Sequence, residues 1–164
     1  MVDEFNAFHA TPSSADVESM FATSLSPHID YPGLARWTLR EHWENSSPEQ
    51  RDAFLDALRK HVIKTYASAL SFDKNMRLQL DQDVKTGKRL VQVSGTLQNK
   101  DSESTNILFR IVGKEGQWQI FDVGVQGISV AKTLRADIAA VAGKGGIDAA
   151  THALTNGNFQ LVSR

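Results

Sequence analysis

Apolar residues in the middle of the chain recur first with the period of a helix and then with the period of a strand. Between residues 48 and 70 they return every three or four positions, which places them on one side of a helix. Ser47, Pro48 and Gln50 mark its start, because the two polar side chains can cap each other and proline suits the first turn. The side expected to face the core carries Phe54, Leu55, Leu58, Val62, Tyr66, Ala69 and Leu70.

From residue 76 onward, apolar and polar residues alternate one by one, which is the pattern of strands with one buried face. Three such runs cover 76–80, 91–97 and 107–111, and a fourth begins near Trp118. Turn-forming residues separate the runs at 85–88, 99–102 and 113–116. Consecutive strands joined by short turns predict an antiparallel four-stranded meander.

Helices are predicted on both sides of these strands. Two precede the long helix, at 14–26 and 32–45, and Ser129 can cap another that the glycines of 143–146 end. A short helix is expected to follow from Ile147 to about Leu154. Helices segregated from an antiparallel sheet predict the α+β class, with residues 1–13 as a loose lead-in and 14–164 as a single domain.

The bulk composition excludes several classes of function. The 18 basic and 19 acidic residues include no basic run that would follow a phosphate backbone, so no nucleic-acid partner is expected. The absence of cysteine excludes disulfides, thiol nucleophiles and thiolate zinc sites. No apolar run approaches the roughly 20 residues of a membrane-spanning helix. The first residues do not resemble a signal peptide, so the protein is either cytoplasmic or has lost such a peptide.

No motif points to catalysis or to a metal. The five histidines form no ligand-spaced pair, and the glycines of 143–146 lack the lysine of a phosphate-binding loop. No Gly-x-Ser-x-Gly elbow is present. We therefore predict no catalytic residue, no metal and no cofactor.

Asp122 is a residue for which both a catalytic and a structural role have to be considered. It stands in an apolar strand that leads over Gly124 and Gly127 into a helix. Alternation puts it on a face with Trp118, Ile120 and Gly124. It could be a general base in a cone-shaped enzyme of the isomerase or dehydratase type. Alternatively it accepts hydrogen bonds from backbone N–H groups at the bend, and we favour this structural role.

Three segments, SSPEQRDAFLDALRKHVIKTYASAL (46–70), GQWQIFDVGVQGISVAKTLRADI (116–138) and GKGGIDAATHAL (143–154), carry a family resemblance. In order and spacing they resemble the motifs of the MlaC/toluene-tolerance family of Gram-negative periplasmic lipid-binding proteins. The resemblance implies a nuclear-transport-factor-like cone with an internal apolar cavity for phospholipid acyl chains. It also implies no enzymatic activity.

The same resemblance implies a soluble carrier, expected to be a monomer, that maintains outer-membrane lipid asymmetry. Its partners would be phospholipid, an inner-membrane ATP-driven lipid transporter complex and an outer-membrane lipoprotein–porin complex. Some relatives are linked to hopanoids instead, so a hopanoid-related carrier is an alternative. The expected location is the periplasm, with a cleavable signal peptide encoded upstream.

Tyr66 and Ile128 match family positions that border the cavity, and Asp122 and Gly127 match structural positions at the bend. Core packing is the default for any single apolar residue, and an interaction domain with a solid core is a third possibility beside carrier and enzyme. The predicted lipid-binding residues are Trp37, Leu58, Val62, Tyr66, Leu78, Val91, Val93, Phe109, Val125, Ile128, Val130, Leu134 and Ile138.

Overall fold

The computed structural model describes residues 18–71, 77–98, 104–114 and 116–157, without the side chains of 66–71, 83 and 114. The predicted lead-in of residues 1–13 and the predicted turn at 99–102 lie outside these ranges. The described residues fall into two compact units. The sheet unit ends its first stretch at Ile29 and resumes from Tyr66 to Val130, and the helical unit holds Asp30–Thr65 and the residues from Ala131 onward.

The sheet unit contains an antiparallel meander in the order β1-β2-β3-β4-β5. The prediction of four strands was wrong, because Ile128 and Ser129 form a fifth that pairs with Val125 and Gly124. The chain reverses through Gln126 and Gly127, which both have positive φ as in a type I′ turn, so the strand returns before the next helix begins. The strands are β1 (Arg77–Thr86), β2 (Leu90–Gln98), β3 (Ser104–Lys114), β4 (Gln117–Val125) and β5 (Ile128–Ser129).

A β-bulge in β4 changes which residues share a face. Arg110 of β3 lies opposite Asp122, but the next residue of β3 lies opposite Ile120, so Phe121 is an extra residue. Asp122 and Gly124 therefore lie on the opposite face of the sheet from Ile120 and Trp118. The expectation that these four residues share a face was wrong, because simple alternation does not anticipate an inserted residue.

The helical unit begins with α1 (Tyr31–Leu39), α2 (Glu41–Glu44) and α3 (Pro48–Ser71), of which α3 belongs to this unit as far as Thr65. The predicted continuous helix at 32–45 is interrupted at Arg40, which has a φ of 52°. The long helix α3 is confirmed together with its capping box. The Ser47 backbone N–H donates to Gln50 Oε1 at 3.0 Å, and the Gln50 N–H donates to Ser47 Oγ at 3.2 Å.

Helix α4 (Val130–Thr155) completes the described structure. Its two halves meet at a kink where Gly145 and Gly146 leave helical geometry, and Gly146 has a φ of 69°, as the glycine cluster predicted. The predicted helix at 14–26 is described only from residue 18, where three helical residues lead into a wide turn at Phe21–Leu25. The largest buried side chains of the helical unit include Leu39, Phe54, Leu58, Leu134 and Ile138.

Candidate functional site

The sheet has one face that is almost entirely apolar. Residues that pair across neighbouring strands project to the same side of a sheet, so the register identifies them directly. We call this side the apolar face. Its apolar members are Leu78, Leu80, Val84, Val91, Val93, Leu97, Ile107, Phe109, Ile111, Trp118, Ile120, Val123, Val125 and Ile128.

Most of these side chains are only half buried. Among the described residues of the apolar face, Ile107 and Ile120 are buried, whereas Val91, Val93 and Phe109 remain partly accessible. A solid core of aliphatic and aromatic residues normally buries them almost completely, as the helical unit does with Phe54. A partly open apolar surface of this extent is typical of a binding site for an apolar ligand.

The apolar face continues to the edge of the sheet at the β4–β5 hairpin. Val125 is opposite Ile128, and their exposed fractions rise to 36% and 60%. The turn between them is anchored, because the Gln126 backbone N–H donates to the Asn106 carbonyl at 2.9 Å. The hairpin therefore presents two apolar side chains from a fixed backbone.

The opposite face carries the predicted structural carboxylate. Asp122 is buried, and its Oδ2 accepts hydrogen bonds from Arg110 Nη1 and, at 2.7 Å, from Ser129 Oγ. Arg110 and Ser129 were not predicted as its partners. The sequence held no signal for Arg110, because the bulge at Phe121 decides which residue of β3 faces Asp122. The three side chains tie β3, β4 and β5 together just before α4 begins.

The predicted lipid-binding residues fall into two groups. Six of them share the apolar face: Leu78, Val91, Val93, Phe109, Val125 and Ile128. The sequence prediction passed over their neighbours Ile107, Ile111 and Ile120, although the first two belong to the same alternating run as Phe109.

The other group lies on helices. Leu58, Val62, Leu134 and Ile138 are buried in the helical unit, as core residues are. Trp37 is half buried, with the Arg135 guanidinium 4.6 Å from the centre of its ring. Val130 is half buried at the start of α4, and the side chain of Tyr66 lies outside the described part. Lipid contact by this second group stays a prediction.

Neither a metal centre nor a membrane span is found in the part of the chain that the structure describes. No group of three or more histidine, aspartate or glutamate side chains there is arranged to hold an ion. None of the described helices is both long and apolar enough to cross a bilayer.

Comparisons with known proteins agree with this geometry. The family model described as "MlaC protein" matches residues 3–156. A curated relative, the intermembrane phospholipid transport system binding protein MlaC of Haemophilus influenzae, is 20% identical over 136 residues, which is 80% of this chain and 64% of the relative. The chain thus spans somewhat less than two thirds of that relative's length.

A solved structure is also similar. It is a phospholipid-binding protein from Ralstonia solanacearum in complex with a phospholipid, and it superposes with a TM-score of 0.82 at 21% identity. The alignment covers 96% of this chain and 92% of the other. At this identity the match establishes the fold, which is α+β with an antiparallel sheet.

Proposed function

The chain belongs to the MlaC family, and we propose that it binds phospholipid by the acyl chains and carries it between membranes. The observation that carries the proposal is the apolar face of the sheet, whose side chains are only half buried along three strands. Two acyl chains bury several hundred Å² of apolar surface, and each Å² contributes about 25 cal/mol. Burial of the acyl chains is therefore sufficient for tight binding, and the absence of a catalytic motif in the sequence is compatible with this function.

Asp122 supports a carrier over an enzyme. A general base has to reach the proton that it abstracts, whereas this carboxylate lies on the opposite side of the sheet from the apolar face. It is also engaged by a guanidinium and a hydroxyl. We therefore propose that Asp122 holds the three strands in register and that the protein is not an enzyme.

The finer proposals rest on the names of similar proteins together with the family resemblance. The Haemophilus relative belongs to an intermembrane phospholipid transport system, and the Ralstonia protein was solved with a phospholipid. By analogy we propose a periplasmic shuttle that exchanges lipid with an inner-membrane ATP-driven transporter and an outer-membrane lipoprotein–porin complex. Its role would be to maintain outer-membrane lipid asymmetry.

Organic extraction of the purified protein, followed by mass spectrometry, tests the proposal. Co-purified phospholipid in a fixed ratio to protein is the expected result. Hopanoid as the dominant lipid would assign the alternative cargo. No lipid, combined with failure to take up phospholipid from vesicles, would contradict the carrier function and favour an interaction domain with a solid core.

A further inference from the structure

One end of the sheet combines exposed basic and exposed apolar side chains. This end is formed by the β1–β2 hairpin, residues 84–90, and by Trp118 at the start of β4. The two parts are neighbours, because the Gly113 backbone N–H donates to the Arg89 carbonyl at 3.2 Å and the Trp118 ring packs over Gly113. We call this region the basic end.

The charge of the basic end is concentrated in the hairpin. Lys85, Lys88 and Arg89 are exposed, and residues 84–90 include no acidic side chain. The neighbouring segment 113–117 adds one lysine and one glutamate to the sequence, so it leaves the net charge unchanged. Asp81 and Asp83 precede the hairpin in β1, so residues 81–90 carry a net charge of +1 and the three cations lie at the tip of the hairpin.

Two large apolar side chains flank these charges. Trp118 is 56% exposed on the apolar face, and Leu90 is 38% exposed on the opposite face. An apolar residue on each side of the sheet suits an edge-on approach to a surface. Exposed tryptophan beside lysine and arginine is the combination that favours the interface of an anionic bilayer.

The other end of the sheet has one exposed described cation, Arg77 at the start of β1, which lies opposite Gln98. In the sequence, residues 99–103, between β2 and β3, include one lysine and two acidic residues. The hairpin there exposes Val125 and Ile128 without a basic neighbour in residues 124–129. In the sequence, Arg77 and Lys100 are balanced by Asp101 and Glu103, whereas Lys85, Lys88 and Arg89 form a cluster of cations, so an anionic partner is expected at the basic end.

We propose that the basic end is a docking surface for the headgroup region of an anionic phospholipid membrane. Lys85, Lys88 and Arg89 attract the phosphates, and Trp118 and Leu90 enter the interface. The attraction is electrostatic in origin, so it weakens as the salt concentration rises. Docking in this way does not require that the protein hold a lipid of its own.

Vesicle flotation tests the proposal. The protein is expected to float with phosphatidylcholine vesicles that contain phosphatidylglycerol, and much less with phosphatidylcholine alone or at high salt. Replacing two cations, K88Q together with R89Q, should weaken binding by about 30-fold. The matched control K60Q with K64Q removes two exposed cations from α3 and should bind like the unmodified protein.

Tryptophan fluorescence supplies a second readout. Trp118 is the most exposed of the three tryptophans, so its emission should shift to the blue on anionic vesicles, and Trp118→Phe should lose the shift. Equal binding by the two double variants, or no binding to anionic vesicles at low salt, would overturn the proposal. Lipid content measured by extraction stays a separate test, so a failure of docking is distinguishable from a failure of the carrier function.

Discussion

The donors to Asp122 include two that differ in kind, a partly exposed guanidinium and a buried hydroxyl. The Arg110 side chain is 29% exposed, and Asp122 is 5% exposed. Breaking such a pair from one side leaves the other charge poorly solvated, whereas removing both partners is often close to neutral. The contribution of this pair to stability is therefore best tested by replacing Asp122 alone and by replacing Asp122 and Arg110 together.

Asp122→Ala should lower the free energy of unfolding by about 1–3 kcal/mol, because Arg110 and Ser129 lose their acceptor. Asp122→Asn keeps the shape and an acceptor oxygen, so lipid retention should be nearly normal. Urea denaturation measures the first effect, and extraction measures the second. The double variant Arg110→Met/Asp122→Ala should recover part of the loss. A stable Asn variant that lost turnover of a small substrate would contradict the structural role.

His61 predicts a dependence of stability on pH. Burial lowers its pKa from the ordinary value of 6.5. Asp137 and a hydrogen bond to the Leu154 backbone oppose this shift, and Lys64 adds to it. The unfolded state then takes up a proton at a higher pH than the folded state. The stability that neutral His61 contributes is present above about pH 6.5 and is lost as the pH falls through the lowered pKa of the folded state.

The measurement is urea denaturation at several pH values between neutral and mildly acidic conditions. The unmodified protein should lose stability as the pH falls, and His61→Gln should lose less over the same interval. Lys132→Gln, an exposed substitution on α4, serves as a control and should follow the unmodified protein. Identical slopes for His61→Gln and the unmodified protein would show that His61 does not titrate differently in the two states.

Among the elements, the start of α3 is fixed by short-range contacts that the sequence predicted. Arg51 adds a contact that the sequence did not predict. Its Nε donates to the Trp43 carbonyl at 3.1 Å, and its Nη2 donates to the Glu44 carbonyl at 3.1 Å, which caps the end of α2. The junction between α2 and α3 is therefore held by the capping box, by Arg51 and by Ser46, whose Oγ donates to the Trp43 carbonyl at 2.7 Å.

Ser47→Ala should destabilise the protein by about 1 kcal/mol, because the Gln50 backbone N–H loses its acceptor. For a chain of this size, that corresponds to a fall of about 2–4 °C in Tm. Ser47→Gly is the matched comparison and should cost only a few tenths of a kcal/mol, because glycine is tolerated at this position. Equal effects of the two substitutions on thermal unfolding would count against the capping role.

The β4–β5 hairpin carries the prediction for the apolar face. Ile128→Glu should abolish lipid retention while the domain still folds, because a carboxylate next to Val125 is unfavourable beside acyl chains. Gln126→Glu introduces the same charge two residues away at an exposed turn position and should retain lipid. Extraction gives the lipid content, and circular dichroism checks the fold. Undiminished lipid in Ile128→Glu would remove this residue from the site.

The strands show which features of the fold can be predicted from the sequence alone and which cannot. Alternation around Val91, Val93 and Phe109 identified most of the apolar face, because the period of two is a local property. The bulge at Phe121 was not visible, since apolar residues stand on both sides of it and either register buries apolar groups. The end of α1 at Arg40, which has a φ of 52°, could not be predicted either, because that position holds neither a glycine nor a proline. The partners of Asp122 depend on the bulge, and so they could not be predicted.

At the scale of the whole molecule, the two units bury their apolar residues to different degrees. The helical unit encloses Phe54, Leu58 and Ile138 completely, whereas the sheet leaves Val91, Val93 and Phe109 half accessible. A protein that completes the burial of one face with a ligand is less stable without it. Stability should therefore depend on the cargo more than on any single residue of the face.

The final prediction is that removing bound lipid lowers the thermal stability and that phospholipid restores it. A ligand that binds only the folded state stabilises it by about 2.7 kcal/mol when its concentration is a hundredfold above Kd. For a protein of this length that is a rise of about 5–10 °C in Tm. The measurement compares delipidated protein with and without a short-chain phospholipid kept below its micelle concentration. The control Ile128→Glu should gain much less, because its apolar face carries a charge. A Tm that does not respond to phospholipid in the unmodified protein would mean that the half-buried face is not a lipid site, whatever the family resemblance implies.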